Sequence, residues 1–257
     1  MIKEVNNTVF KLDKINFAYS ENEPVIKDIS LEISQGERLS ILGANGCGKS
    51  TLLKILSGLI FPQSGTLTAF GDRIEQKSFN DKLSKSFHRK VGFIFQDSDV
   101  QLFCTTVYEE LAFGPLQLGL FPDEVRSRIK EISRMLEIDQ LLEKTPFKLS
   151  GGEKKKVAIA SVLILNPDVL ILDEPTNSLD PRSQSWLLRL LHTLSGAGKT
   201  LIFATHNLNL VPEISDRAVL FNEDHTIAAD MQVSELLKNS ELLKKVNLVD
   251  DNYYGGH

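Results

Sequence analysis

Arg38-Leu39-Ser40-Ile41-Leu42-Gly43-Ala44-Asn45-Gly46-Cys47-Gly48-Lys49-Ser50-Thr51 is the stretch on which the reading of this chain turns. An apolar run of strand length enters a glycine-rich loop. Leu52, Leu53, Ile55, Leu56 and Leu59 then follow at helical spacing, with Gly58 and Pro62 breaking the pattern. Strand, loop and helix in this order turn backbone N–H groups toward an anion, at a helix N-terminus whose dipole favours negative charge. The Gly-x-x-x-x-Gly-Lys-Ser spacing brings Lys49 within reach of β- and γ-phosphates and offers the Ser50 hydroxyl to Mg²⁺. An ordinary glycine-rich turn is the competing reading. Chance supplies the pattern in roughly one chain per hundred of this length, and the flanking strand and helix lower that further.

Two more segments lie downstream. Val169-Leu170-Ile171-Leu172-Asp173-Glu174 is a buried-strand run ending in two acids, with Glu174 on its exposed end; acids at a strand end serve either as turn caps or as groups aimed at a site. Leu149-Ser150-Gly151-Gly152-Glu153 reads as a serine N-cap, bare glycine backbone and the positive end of a helix dipole. Taken alone, that segment is a capped helix with Glu153 well placed in its first turn, and Lys154, Lys155 and Lys156 read as the solvated face of the same helix.

The order glycine loop, Leu-Ser-Gly-Gly-Glu, apolar strand, Asp-Glu-Pro resembles the ATP-binding cassette (ABC) ATPases. The resemblance runs from about Val9 to Asp230. It implies an α/β fold of the P-loop NTPase (RecA-like) type: a mainly parallel sheet, an antiparallel β subdomain and an inserted α-helical subdomain. It also implies binding of ATP and Mg²⁺. Gly43, Ala44, Asn45, Gly46, Cys47, Gly48, Lys49, Ser50 and Thr51 then hold the phosphates, and Ser50, Gln96 and Asp173 hold the metal. Glu174 is the general base, His206 the switch histidine and Gln96 the Q-loop residue. Tyr19 stacks on adenine, with Phe17 as the alternative. Ser150, Gly151 and Gly152 meet the nucleotide of a second cassette, as does Asp180, which before Pro181 also reads as a helix N-cap. Glu153 stands where the family usually has Gln, and Asn207 where Asp is common.

Gln96-Asp97-Ser98-Asp99-Val100-Gln101-Leu102-Phe103, then Thr106-Val107 and Ala112-Phe113-Gly114-Pro115, resemble the cobalt and energy-coupling-factor importer ATPases, with Ser98 where Pro is usual. The resemblance implies an ATP-hydrolysing importer subunit that works with a second cassette, a transmembrane scaffold subunit and a solute-binding membrane subunit, at the cytoplasmic face of the membrane. A transition-metal ion or a vitamin is the expected cargo. Exposed acids Asp97 and Asp99 beside apolar Leu102 and Phe103 are the expected contact with the scaffold, a local surface helix being the alternative. A soluble cassette ATPase acting on a protein or nucleic-acid assembly and a non-hydrolysing half of a heterodimer are the competing functions.

Composition narrows the field. The chain has 257 residues, 42% of them apolar, enough for one sizeable core or a core with an inserted subdomain. A net charge of -5 lacks the basic footprint of a nucleic-acid binder, so no nucleic acid is expected. Two cysteines make no disulfide framework and fit a reducing compartment. Met1-Ile2-Lys3-Glu4 opens no signal-peptide core, and no run of about 18 apolar residues occurs. Cys47 at a helix N-terminus predicts a thiol of lowered pKa whose alkylation blocks ATP binding.

Val9–Ser20 and Ile29–Ile33 alternate as half-exposed antiparallel strands, followed by a Gln35-Gly36 turn. Buried strands are predicted at Val91–Phe95, Val169–Leu172, Thr200–Ala204 and Ala218–Phe221, and the 97–165 segment is predicted helical. A helix starts at Asp180-Pro181, and two short helices capped by Ser234 and Ser240 close the chain. The expected division is a nucleotide-binding domain over 1–232, with its core at about 1–96 and 166–232 and its helical subdomain at about 97–165, then a tail over 233–257.

Overall fold

The computed structural model describes residues 7–21 and 23–249; the expectations for Met1–Glu4 and for the end of the tail lie outside them. The chain forms two compact units, Met1–Asn80 with Leu191–His257, and Asp81–Leu190. These divisions fall at other positions than the 96 and 166 boundaries read from sequence.

In the first unit, β1 (Thr8–Ser20) and β2 (Glu23–Ser34) pair antiparallel, and β4 (Ser64–Ala69) and β5 (Asp72–Arg73) extend the sheet in the order β2-β1-β4-β5. The alternation in β1 and β2 has its expected cause: Phe10, Leu12, Ile15, Ile29, Leu31 and Ile33 are buried while polar residues between them face out. The second sheet of this unit has β3 (Arg38–Leu42) between β8 (Thr200–Ala204) and β9 (Arg217–Phe221), both parallel to it, with β10 (Ile227–Gln232) antiparallel to β9. β8 is buried along its whole length, and β3 and β9 after their first residue, which is why they read as continuous apolar runs. Helix α1 (Lys49–Leu56) leaves the glycine loop and ends near the predicted stop at Gly58.

In the second unit, α2 (Asp81–Lys90) precedes β6 (Val91–Ile94), which pairs parallel with β7 (Val169–Asp173). Between them lie α3 (Ser98–Gln101), α4 (Val107–Gln117), α5 (Pro122–Met135) and α6 (Gly151–Leu163), the helical segment that was expected. Val125, Ile129, Ile132 and Leu136 form the buried face of α5 and its C-cap, as their spacing predicts. Helix α7 (Pro181–Gly196) runs through the division between the units.

Sequence reasoning missed β4, β5, α2 and β10. Strand β4 buries only two residues, and α2 is polar along most of its length and buries only Phe87, so neither presents an apolar run. The caps of the closing helices also differ from expectation. Helix α8 (Val211–Ile214) precedes β9, α9 (Val233–Leu236) has Gln232 before it with no side-chain cap, and α10 (Ser240–Lys245) is capped by the Asn239 side chain, which accepts from Leu242 N–H. Asn is as good an N-cap as Ser and stands one residue earlier. Both helices belong to an apolar cluster with Leu42, Val211, Ala218 and Leu220, so part of the tail is core of the first unit.

Candidate active site

Gly43–Thr51 follow the carboxyl end of β3, the edge of an α/β sheet where ligands bind. Two glycines are required there by geometry. Gly43 has φ 150° and a Cβ on it would meet the Cys47 sulfur and Phe221; Gly48 has φ 112° and its Cβ would lie 2.4 Å from the Val25 carbonyl. Lys49 is buried, and its Nζ donates to the Gly43 and Ala44 carbonyls at 2.8 and 3.0 Å, which holds the ammonium against the loop. Tyr19 is exposed, its hydroxyl lies 3.4 Å from Thr51 Oγ1, and its ring meets Phe17 edge-on, so both candidate stacking rings lie on one face of β1 near the loop. In the same unit Thr205 N–H donates to the Ile41 carbonyl, bringing the start of the His206 segment to the carboxyl edge of β3.

Cys47 does not have the character expected of it. The residue is 2% exposed, and burial pushes its thiol above the usual range despite the neighbouring Lys49. A helix N-terminus lowers a thiol pKa only where the thiolate can stay solvated. His225 was missed: in the β9–β10 turn, at φ 72°, its Nδ1–H donates to the Cys47 carbonyl at 3.2 Å. No local pattern marks it, because the contact spans 178 residues.

In the second unit, the register Ile94↔Leu172 sets Gln96 past the carboxyl end of β6, with Asp173 at the carboxyl end of the neighbouring parallel strand β7 and Glu174 just past it. Glu174 was expected at an exposed strand end. It is 8% exposed and sits at φ 40°, a left-handed conformation costly for a non-glycine residue and typical of sites where geometry is over-determined.

Ser150 caps α6 through a reciprocal box with Glu153. The Glu153 carboxylate accepts from both the Ser150 N–H and its hydroxyl at 2.8 Å, which holds the carboxyl below its usual 4.5. The fifth residue is therefore not a silent departure from Gln: an ionised group occupies the Ser150 hydroxyl. Asp180 caps α7, accepting from Arg182 and Ser183 N–H and from the Ser183 hydroxyl. A Cβ on Gly152 would meet the Ser183 hydroxyl at 2.6 Å and Asp180 at 3.7 Å, so the structure brings Gly152 and Asp180 together across 28 residues of sequence.

The lysine run is not one solvated face. Lys154 pairs with Asp99, Lys156 lies over the Trp186 ring at 4.8 Å, and Lys155 is 3% exposed, donating to the Phe95 and Gln96 carbonyls. Burial lowers the Lys155 ammonium to about 8 against the opposing pull of Asp97 and Asp173. Gln96, Asp97, Gly151, Lys155, Asn177 and Leu179 are among the residues lining one cleft of about 410 Å³.

Asp97 and Asp99 also carry internal duties: Asp97 caps α3 by accepting from Asp99 N–H, and Asp99 holds Lys154. Of the two apolar residues beside these acids, Leu102 is buried, because it follows α3 and turns inward. Phe103 stays out at 60% exposure, meeting exposed Phe113 of α4 edge-on at 4.9 Å. Among the described residues, no helix is long and apolar enough to cross a membrane.

A glycine-rich phosphate loop at the carboxyl end of a parallel strand, opening a helix through Lys-Ser-Thr, defines the P-loop NTPase class. A family model for ABC transporters matches residues 26–177. The chain is 44% identical over 244 residues to the nickel import ATP-binding protein NikO of Rhodobacter capsulatus, covering 93% of this chain and 95% of that protein. Among solved structures it resembles cbiO1 of Clostridium perfringens, part of the ABC transporter complex cbiONQ, at 36% identity and a TM-score of 0.79, covering 94% of this chain and 95% of that one. The dimeric ATP-binding cassette MJ0796, in a post-hydrolysis state bound to ADP and Pi, aligns at 27% identity and a TM-score of 0.77, covering 87% of this chain and 98% of that one. The chain belongs to the ABC transporter family, and it is an ATP-binding, ATP-hydrolysing cassette.

Proposed function

We propose that the chain is the ATPase subunit of an importer of the cobalt or energy-coupling-factor type, driving uptake of a transition-metal ion or a vitamin. The observation that carries this reading is the exposed Phe103–Phe113 pair within the Gln96–Pro115 segment, an apolar surface suited to a membrane subunit. The names of NikO, a nickel import protein, and of cbiO1, part of a transporter complex, support it. The partners are a second cassette, a transmembrane scaffold and a solute-binding membrane subunit, with the chain peripheral at the cytoplasmic face.

The proposed roles follow the resemblance residue by residue. Gly43–Thr51 bind the phosphates, Tyr19 stacks on adenine, Glu174 takes a proton from the attacking water, and His206 contacts the γ-phosphate. Gln96 orients the water, and Ser150, Gly151, Gly152 and Asp180 serve the nucleotide of the second cassette. The Ser50 hydroxyl, the Gln96 amide oxygen and the Asp173 carboxylate are hard oxygen donors and fit Mg²⁺, which takes oxygen ligands. When bound, such an ion would supply positive charge against the negative charge developing on the phosphates.

Tagged chain purified in detergent from native membranes is expected to carry polytopic subunits, identified by mass spectrometry. Recovery only with soluble assembly factors would replace the importer by a soluble machine.

One consequence concerns Glu153. Its carboxylate adds negative charge where α6 is proposed to meet a phosphate, so Glu153→Gln is expected to lower the ATP concentration for half-maximal dimerisation by roughly two- to fivefold, the size of a charge–dipole effect at a helix end. Unchanged or weaker dimerisation in light scattering would show that Ser150 and the glycines meet no anion.

A further inference from the structure

The short segment that carries Gln96 is fastened to α6 by side chains. Phe95 N–H donates to Gln101 Oε1 at 3.2 Å, while Gln101 Nε2 donates to the α6 carbonyl of Ala158 at 2.9 Å and lies 3.4 Å from the Ser161 hydroxyl. From α6 itself, Lys155 Nζ donates at 3.0 Å to the carbonyls of both Phe95 and Gln96. Both backbone polar groups of Phe95 and the carbonyl of Gln96 therefore depend on these two residues.

Lys155 is an expensive way to fill this space. A buried ammonium loses its hydration, and both bonds here go to neutral carbonyls rather than to a carboxylate. A methionine of similar length would pack without that cost. What the ammonium adds is three donors on one atom, enough to hold two successive carbonyls at once. Lys155 also lies one turn after Ser150–Gly152, on the same helix.

We infer that Lys155, aided by Gln101, is a positioning residue that makes Gln96 and the N-terminal end of α6 one rigid piece. The inference rests on the proposed roles of Gln96 at the chain's own nucleotide and of Ser150–Gly152 at that of the second cassette. Any displacement of Gln96 then displaces the serine and glycines equally. The two nucleotide sites of a dimer are coupled through each subunit's clamp, and ATP-driven closure depends on it.

The test compares the full-length chain with Lys155→Met, Lys155→Arg and Gln101→Leu. Without nucleotide, amide hydrogen exchange over residues 95–101 is expected to rise about tenfold or more in Lys155→Met, as for loss of a charged-donor hydrogen bond. Fluorescent-nucleotide binding by the monomer stays within about twofold, because the phosphate loop is untouched. With ATP, Lys155→Met in a Glu174→Gln background needs about tenfold more ATP to dimerise. Lys155→Arg, whose fork still offers donors, recovers most of both effects, and Gln101→Leu reproduces the exchange effect more weakly.

Unchanged exchange in Lys155→Met overturns the clamp. Loosened exchange with wild-type dimerisation overturns the coupling, and nucleotide affinity and thermal stability falling in parallel with dimerisation reduce Lys155 to a packing residue. If the Glu174→Gln chain with Lys155 intact never dimerises on ATP, the proposed function fails instead, while the exchange result still decides the clamp.

Discussion

Replacing Glu174 by Gln is expected to lower ATP turnover by roughly two to four orders of magnitude, the usual contribution of a general base, while ATP affinity stays within about twofold. Gln keeps the shape and the hydrogen-bonding oxygen of Glu but cannot take up a proton at neutral pH. The backbone should not move: the turn is closed by Asn177 N–H donating to the Glu174 carbonyl at 3.1 Å, and the left-handed φ of 40° is equally costly for Gln. The separation of binding from turnover is therefore clean. An ATP-stabilised dimer should accumulate, because closure no longer ends in hydrolysis. Phosphate release and light scattering check the two halves of this expectation. Hydrolysis at the wild-type rate would remove Glu174 from the base role.

Replacing Lys49 by Ala is expected to weaken ATP binding by about a hundredfold or more. The ammonium is buried against the loop, bonded to the Gly43 and Ala44 carbonyls. Phosphate oxygens are stronger acceptors for it than carbonyls, since both partners are then charged. Losing two such bonds, each worth roughly 1.5–3 kcal/mol, corresponds to at least two powers of ten in affinity. Alanine also leaves the loop to bind the phosphates without a cation of its own, through its backbone N–H groups and the helix dipole. Because the substitution removes a buried charge whose partners among the described residues are two carbonyls, the melting temperature is expected to change little compared with affinity. Titration with a fluorescent nucleotide measures the loss; affinity within threefold of wild type would show that the loop binds without its lysine.

Much of the fold was legible because its central strands are buried on both faces. β3, β7, β8 and β9 appear as short unbroken apolar runs, and α1 announces itself by leaving the glycine loop at helical period. The elements that escaped notice, β4, β5, α2 and β10, bury little, so their sequences hold too few apolar residues to stand out. The candidate site was legible for a different reason. Phosphate binding depends on glycines and a lysine at fixed local offsets, and a local pattern is visible in a local stretch.

Side-chain environments were not legible in the same way. Lys155 sits in a run of three lysines, and nothing in the run separates the buried ammonium that holds two carbonyls from Lys154 and Lys156 beside it. Leu102 and Phe103 look alike as adjacent apolar residues, yet one is buried and the other exposed, because the chain leaves α3 with only one of them facing inward. Cys47 at a helix N-terminus reads as a thiol of lowered pKa, and packing against the loop buries it and pushes the thiol up instead.

By itself the sequence determined the chemistry available to this protein and the order in which it is presented: glycine loop, serine-capped helix and acidic strand ends, all set by residue type and short-range spacing. Only the tertiary structure decided which polar groups lose their water and what replaces it. Glu174 became buried, Asp180 came against Gly152, and Lys155 was joined to the segment of Gln96 some sixty residues earlier. Desolvation is the sum over every element that packs on a group, and those elements come from distant parts of the chain, so no local pattern carries it.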